Sequence, residues 1–219
     1  MRLKSPLLCP NDFSRGNYMP YEYREMTPKE RQEVLAQRRE RGYPLHSPPH
    51  PFREASRYLL TAANFEHANI MASPERRTDF EARLIEAMHS LDAEVFGWVI
   101  LPNHYHILVG VQSLDAVSAA FKLLHGSTAY EWNQADHQMG KRRVWYRFAD
   151  RMIRGDGHFY RALNYIHINP VKHQYTDNPY DWPWSSLCTY LEAENFGREW
   201  LREQWKTHPP GDFGRRWDD

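Results

Sequence analysis

The chain predicts an α+β domain: a ferredoxin-like antiparallel sheet with helices mainly on one face, plus N-terminal and C-terminal extensions. Three observations lead there. Candidate elements follow the order strand, helix, strand, strand, helix, strand, helix, which suits a sheet backed by helices. The apolar runs EVFGWVIL (94–101) and HYHILVGV (104–111) are separated by Pro102 and Asn103 alone, so a tight connection makes them antiparallel neighbours. Prolines crowd residues 1–53 too densely for a packed sheet, which puts that stretch outside the domain.

Taken in order, the extension at 1–53 holds one helix, MTPKERQEVLAQRRERG, with Thr27 as cap, Pro28 in the first turn and Gly42 at the end. Its Arg38, Arg39 and Arg41 form a solvated face or a DNA-backbone contact. The domain spans 54–192 and begins with the strand RYLLTAANF. A helix follows over 74–91, where Phe80, Leu84, Ile85 and Met88 recur at helical spacing. After the two strands around Pro102, residues 114–134 read as a helix with Gly126 a candidate break. VWYRFAD (144–150) is a strand, and GHFYRALNYIHIN (157–169) a helix stopped by Pro170. NPYDWPWSSL and the tail at 193–219 show no period; Trp182 and Trp184 are expected to seal the core.

Composition narrows the function classes. A formal net charge of +0 advertises no global field for nucleic acid, so a DNA-binding role must rest on local charge. Two cysteines, Cys9 and Cys188, far apart and in no CxxC pattern, exclude a disulfide scaffold and a cysteine-built zinc site. There is no apolar run of the roughly 18 residues a membrane span needs, and no secretory signal is read before Pro6. A cytoplasmic protein without membrane partners is the expectation.

Alternation along a strand puts His104 and His106 on one face and Tyr105 on the other. Paired imidazoles are poor core material and half of a metal site. On the 157–169 helix, with Tyr165 at zero, His158 falls at about +20°, Arg161 at about −40° and Asn169 at about +40°. Phe159, Ala162, Leu163 and Ile166 form the adjoining apolar stripe. That stripe should dock on the sheet and leave Tyr165 and Asn169 at its border, where they can meet the histidines. A tyrosine becomes a useful nucleophile where a divalent ion and cationic surroundings stabilise its phenolate. Two imidazoles and one amide oxygen leave open positions for phosphate oxygens and suit an ion in the Mg²⁺ to Mn²⁺ range.

The stretch WVILPNHYHILVGV resembles the histidine–bulky residue–histidine (HUH) segment of single-strand DNA transposases. YIHINPVK, with DWPWSSLCTY after it, resembles the tyrosine helix and downstream signature of REP-associated tyrosine transposases. HGSTAYEWN and KRRVWYRFADRMI are similar to that family's intervening blocks. The resemblance covers about residues 55–192. It implies a metal-dependent endonuclease and strand transferase that nicks and rejoins single-stranded DNA at hairpin-forming repeats. Carried over, Tyr165 attacks the scissile phosphate to form a 5′-phosphotyrosine link, while His104, His106 and Asn169 hold Mg²⁺ or Mn²⁺. The partner is single-stranded or hairpin DNA, bound by a homodimer or a monomer. The long N-terminal extension and the neutral overall charge depart from the family pattern.

Local charge answers the second departure. Lys141, Arg142, Arg143, Arg147, Arg151, Arg154, Arg161 and Lys172 stand against Asp150 and Asp156, interleaved with Trp145, Tyr146 and Phe148. Such a run can hold phosphates and stack an unpaired base. His158 and His167 read as structural, and His46 and His50 lack further ligands. Two other classes remain: a non-catalytic ferredoxin-like nucleic-acid-binding module, and a phosphoesterase that uses water and dispenses with Tyr165.

Overall fold

The computed structural model describes residues 56–192 and 198–210, together with Thr27 and Lys29. The expected N-terminal helix with Arg38, Arg39 and Arg41, and the residues Cys9, His46 and His50, lie outside the described residues. Strands β1 (Ser56–Ala63), β2 (Glu94–Ile100), β3 (His104–Val111) and β4 (Ala149–Met152) form one sheet in the order β2-β3-β1-β4. All three pairings are antiparallel. The α+β expectation holds. β1 lies beside the histidine strand along its whole length, from Ser56 opposite Val111 to Ala63 opposite His104.

Alternating side chains divide the core in two. Helices α1 (Pro74–His89) and α2 (Leu114–Ala135) cover one face, packing Phe80, Leu84, Met88, Val117 and Phe121 onto Tyr58, Leu60, Tyr105, Ile107 and Val109. Ser73 starts α1 by accepting from the Arg76 amide, with Pro74 at the first position, and Ser113 caps α2 in the same way. Helix α3 (Asp156–Lys172) takes the opposite face, setting Phe159, Ala162, Leu163 and Ile166 against Leu59, Phe96, Val99 and Leu108. Two long helices thus share one face, and the tyrosine helix covers the other together with Trp182 and Tyr190.

Gly97 permits the close approach of α3. A Cβ built there would lie 2.6 Å from Leu163 Cδ1 and 3.1 Å from Ser186 Oγ. Trp182 is buried and donates to the Ile100 carbonyl at 3.0 Å, sealing the edge of the second core as expected. Trp184, half-buried, covers the Arg77 guanidinium at 3.9 Å. The chain then passes into short helices α4 (Leu187–Glu192) and α5 (Arg198–Thr207).

Three local expectations are corrected. Helix α2 runs unbroken through Gly126, which has open space around it, because Phe121, Leu124, Thr128 and Trp132 anchor both flanks. One glycine costs about 1 kcal/mol, too little to split a helix held on both sides. The last strand lies at 149–152 instead of 144–150. Trp145 turns inward, stacks on His125 at 4.5 Å and donates to Thr128 Oγ1, and its ladder pairing is an isolated bridge to Asn64, just past the end of β1. Finally, α3 continues through Pro170 to Lys172. Proline removes one helical hydrogen bond, and Pro170 sits buried in the last turn, where few such bonds remain to be lost.

Candidate active site

β3 sends Tyr105 into the first core and presents His104 and His106 to α3. Both histidines are buried, at 2% and 1% exposure. Their rings lie 5.0 Å apart, edge to face. His104 Nδ1 sits 2.7 Å from Asn103 Oδ1, while the Asn103 amide nitrogen donates to the His67 carbonyl at 3.2 Å. That carbonyl can only accept, so it orients the amide and leaves its oxygen toward the histidine. His104 therefore carries its proton on Nδ1 and its lone pair on Nε2. His106 Nδ1 contacts Thr61 Oγ1 at 2.6 Å, a consequence of register, since Thr61 stands directly opposite His106.

Helix α3 brings the tyrosine to this pair. The Tyr165 hydroxyl is 3.4 Å from His106 Nε2, with ring centroids 5.1 Å apart. Two turns later, the His173 ring lies 4.9 Å from that of His104. The helix therefore runs opposite to the strand, and Asn169 lies midway along it between Tyr165 and His173, about 40° around the axis from Tyr165. Asn169 is fully buried, and neither amide atom has a hydrogen-bond partner among the described residues. Unsatisfied buried amides call for an explanation, and a cation at this point supplies one for the oxygen. Among the described residues no three His, Cys, Asp or Glu side chains group as a metal site. Two imidazole nitrogens and one amide oxygen fit a divalent ion of intermediate softness.

The border of the apolar stripe, where Tyr165 meets His106, lies in the interior. Tyr165 is 2% exposed and Asn169 fully buried. The sheet face that bears the histidines is itself roofed by α3, so side chains pointing at them point inward.

Positive charge surrounds the tyrosine. Lys172 Nζ lies 5.0 Å from its ring centroid. Burial pulls the Arg151 guanidinium below its usual value, and the nearby Tyr165 opposes that shift. Burial and the charges of Arg151, Arg154 and Arg161 lower the pKa of His158, whose Nδ1 accepts from the Arg154 amide at 3.1 Å. Four of the eight basic candidates, Arg151, Arg154, Arg161 and Lys172, thus gather at α3. The other four lie elsewhere. Lys141 and Arg147 are exposed, Arg143 lies over two aromatic rings, and Arg142 bonds to Asp136 and Asn133.

Thr61, Asn103 and His173 are the neighbours the sequence reading missed. Asn103 stands next to His104 and was legible as a candidate orienting group. Thr61 needed the strand register. His173 needed a helix that continues past Pro170.

His167 faces away from the tyrosine, fully buried and 3.0 Å from Ser186 Oγ, with its pKa held down to about 3 by burial. Its role is structural.

No protein-family model matches the chain. In sequence it is 30% identical over 111 residues to a Haemophilus influenzae protein named "Putative REP-associated tyrosine transposase", a match covering 46% of this chain and 62% of that one. It is 29% identical over 106 residues to the REP-associated tyrosine transposase of Escherichia coli, covering 48% and 60%. The chain thus spans less than two thirds of either relative. In fold it is similar to a REP-associated tyrosine transposase solved bound to a REP hairpin, with a TM-score of 0.53 and 20% identity over 66% of this chain and 84% of that one. By sequence the chain is similar over about half its length to two proteins named as REP-associated tyrosine transposases, and its four-stranded antiparallel α+β fold is similar to that of the one solved with a hairpin.

Proposed function

We propose that this chain is a metal-dependent, transposase-type endonuclease and strand transferase acting on single-stranded DNA at hairpin-forming repeats. One observation supports the reading: the Tyr165 hydroxyl lies 3.4 Å from His106 Nε2, on the helix that also carries Asn169. A tyrosine at that position can open the DNA backbone directly. The phenolic oxygen attacks phosphorus, a bond forms between them, and the bond to the 3′-oxygen breaks. The leaving oxygen takes the electron pair and a proton to become a 3′-hydroxyl, and the protein keeps a 5′-phosphotyrosine. Rejoining is the reverse, with a new 3′-hydroxyl attacking.

His104, His106 and Asn169 would hold the Mg²⁺ or Mn²⁺, which when bound supplies charge neutralisation for the non-bridging phosphate oxygens. Asn103 and Thr61 orient the two imidazoles. Lys172 and Arg151 stabilise the phenolate as the Tyr165 proton leaves. DNA must displace what covers Tyr165 before a phosphate can reach it. The relative solved with a REP hairpin makes hairpin DNA the partner to test. Arg154, Arg161 and Lys172 are the basic residues best placed to hold its backbone, with Lys141, Arg143 and Arg147 further out.

The experiment is trapping. Incubation with hairpin oligonucleotides drawn from palindromic repeats beside the gene, with Mn²⁺, should yield a protein–DNA adduct that survives denaturation. Mass spectrometry should place it on the peptide containing NYIHINPVK. Tyr165→Phe removes one oxygen and should keep fold and DNA binding while losing the adduct. His106→Ala should bind hairpin and fail to cut. Cleavage without an adduct identifies a water-based phosphoesterase, and binding without cleavage identifies a binding module; either result overturns the proposal.

A further inference from the structure

An aromatic surface cluster lies outside the tyrosine site and is tied to it. Phe65 follows the end of β1, and Tyr146 lies on the segment that pairs with that end. The Phe65 amide donates to the Val144 carbonyl at 2.8 Å, and the Tyr146 amide to the Ala63 carbonyl at 2.9 Å. The two rings emerge side by side, 5.0 Å apart. The Arg143 guanidinium sits 5.1 Å from the Phe65 centroid and 5.6 Å from that of Tyr146, held by its bond from Nε to the Trp145 carbonyl. His67 adds a third ring 6.2 Å from Tyr146.

This cluster serves no core. Trp145 is 7% exposed, while Tyr146 next to it is 37% exposed. The loop beneath is held in an unfavourable backbone state: Glu66 and His67, neither of them glycine, take φ of 55° and 50°. Left-handed backbone at two consecutive non-glycine residues persists where surrounding contacts over-determine it, and such strain gathers at binding sites. Here the contacts are known. The His67 carbonyl accepts from Asn103, and Asn103 accepts from His104 Nδ1. One asparagine ties the aromatic loop to the histidine pair.

We infer that Phe65, Tyr146 and Arg143 form a stacking platform for an unpaired DNA base next to the phosphate handled at His104 and His106, an inference that rests on the transposase reading. The occupant follows from the chemistry. An exposed ring takes a base of any identity on its open π-face, and the Arg143 guanidinium, lying over both rings, adds a planar cationic surface for the base and charge for the neighbouring phosphate. Bases inside a duplex are stacked on each other and have no free face to offer, so the platform selects single strand. Its link through Asn103 sets the stacked nucleotide beside the cleavage centre.

The test uses oligodeoxythymidylate carrying one 2-aminopurine, both free and as a single-stranded arm on a blunt hairpin, with the arm-less hairpin as reference. Stacking quenches the 2-aminopurine, and loss of stacking should weaken binding of the armed DNA about 5- to 150-fold in Tyr146→Ala. Arm-less hairpin binding and thermal melting should stay as in wild type, and Tyr146→Phe should restore both quench and affinity. A 5-iodouracil in the arm should photocrosslink to the peptide containing Tyr146. Wild-type affinity and quench in Tyr146→Ala, or equal losses for armed and arm-less hairpins, would overturn the platform. Absence of the Tyr165 adduct with the quench intact would strike the transposase reading while supporting base stacking.

Discussion

Thr61→Val tests how the site holds its second histidine. Thr61 Oγ1 lies 2.6 Å from His106 Nδ1, and the two residues are 4% and 1% exposed, so water cannot replace the lost hydroxyl. The β-branched shape is kept, which leaves strand packing nearly unchanged. Losing the partner of a buried polar atom costs about 1–3 kcal/mol of stability. The larger effect is on orientation. In the tautomer that metal binding through Nε2 requires, Nδ1 donates to Thr61 and Nε2 presents its lone pair toward Tyr165 and the proposed metal; without the anchor, the proton can move to Nε2 and the ring can turn. Removing such an orienting partner costs about 10- to 100-fold in metal affinity or activity, or about 1.4–2.7 kcal/mol. Mn²⁺ titration by calorimetry and single-turnover adduct formation read the two quantities separately, and nitrogen NMR of His106 reports the tautomer. Thr61→Ser restores the hydroxyl and should recover most of both. Wild-type Mn²⁺ affinity and adduct rate in Thr61→Val would refute the argument that this pair positions His106.

Two further outcomes rest on the fold. Gly97→Ala drives a methyl to 2.6 Å from Leu163 Cδ1, a side chain 1% exposed, so α3 or Leu163 must shift. Overpacking of this kind costs about 1–3 kcal/mol; urea midpoints should fall, and adduct formation with them because Tyr165 rides on the same helix, whereas an unchanged midpoint would show that α3 does not pack this closely. Acid should destabilise the protein through His167, whose folded pKa near 3 lies below its unfolded value of about 6.5. The unfolded chain binds the extra proton in that window, so stability is full above about pH 6.5 and lost as pH falls. The loss through His167 is about 3 kcal/mol by pH 4.5, with His125, lowered to about 4 by burial, acting in the same direction. Urea unfolding at pH 7 and 4.5 should show the drop, and His167→Gln should reduce it; a pH-independent midpoint would contradict the neutral buried imidazole.

Much of the site was legible along the chain because its signals are local. Strand alternation is a property of two residues, and it put His104 and His106 on one face. Helical period is a property of one turn, and it put Tyr165 and Asn169 together beside an apolar stripe. The tight connection at Pro102 and Asn103 followed from two neighbouring apolar runs. Where local preference met a packing opportunity, packing prevailed: Trp145 left the strand pattern for His125 and Thr128, and α3 ran on through Pro170. Arg142, one of the eight basic candidates between 141 and 172, is bound to Asp136. The partners that finish the site come from far along the chain. Thr61 is 45 residues from His106, and Tyr165 is 59 from it. Which strand pairs with which, in what register, and how closely α3 settles over Gly97 are decided by side chains packing across elements. No spacing along the sequence encodes those distances, and the tertiary structure alone determined that Thr61 would hold His106, that Asn103 would join the aromatic loop to His104, and that Tyr165 would lie buried.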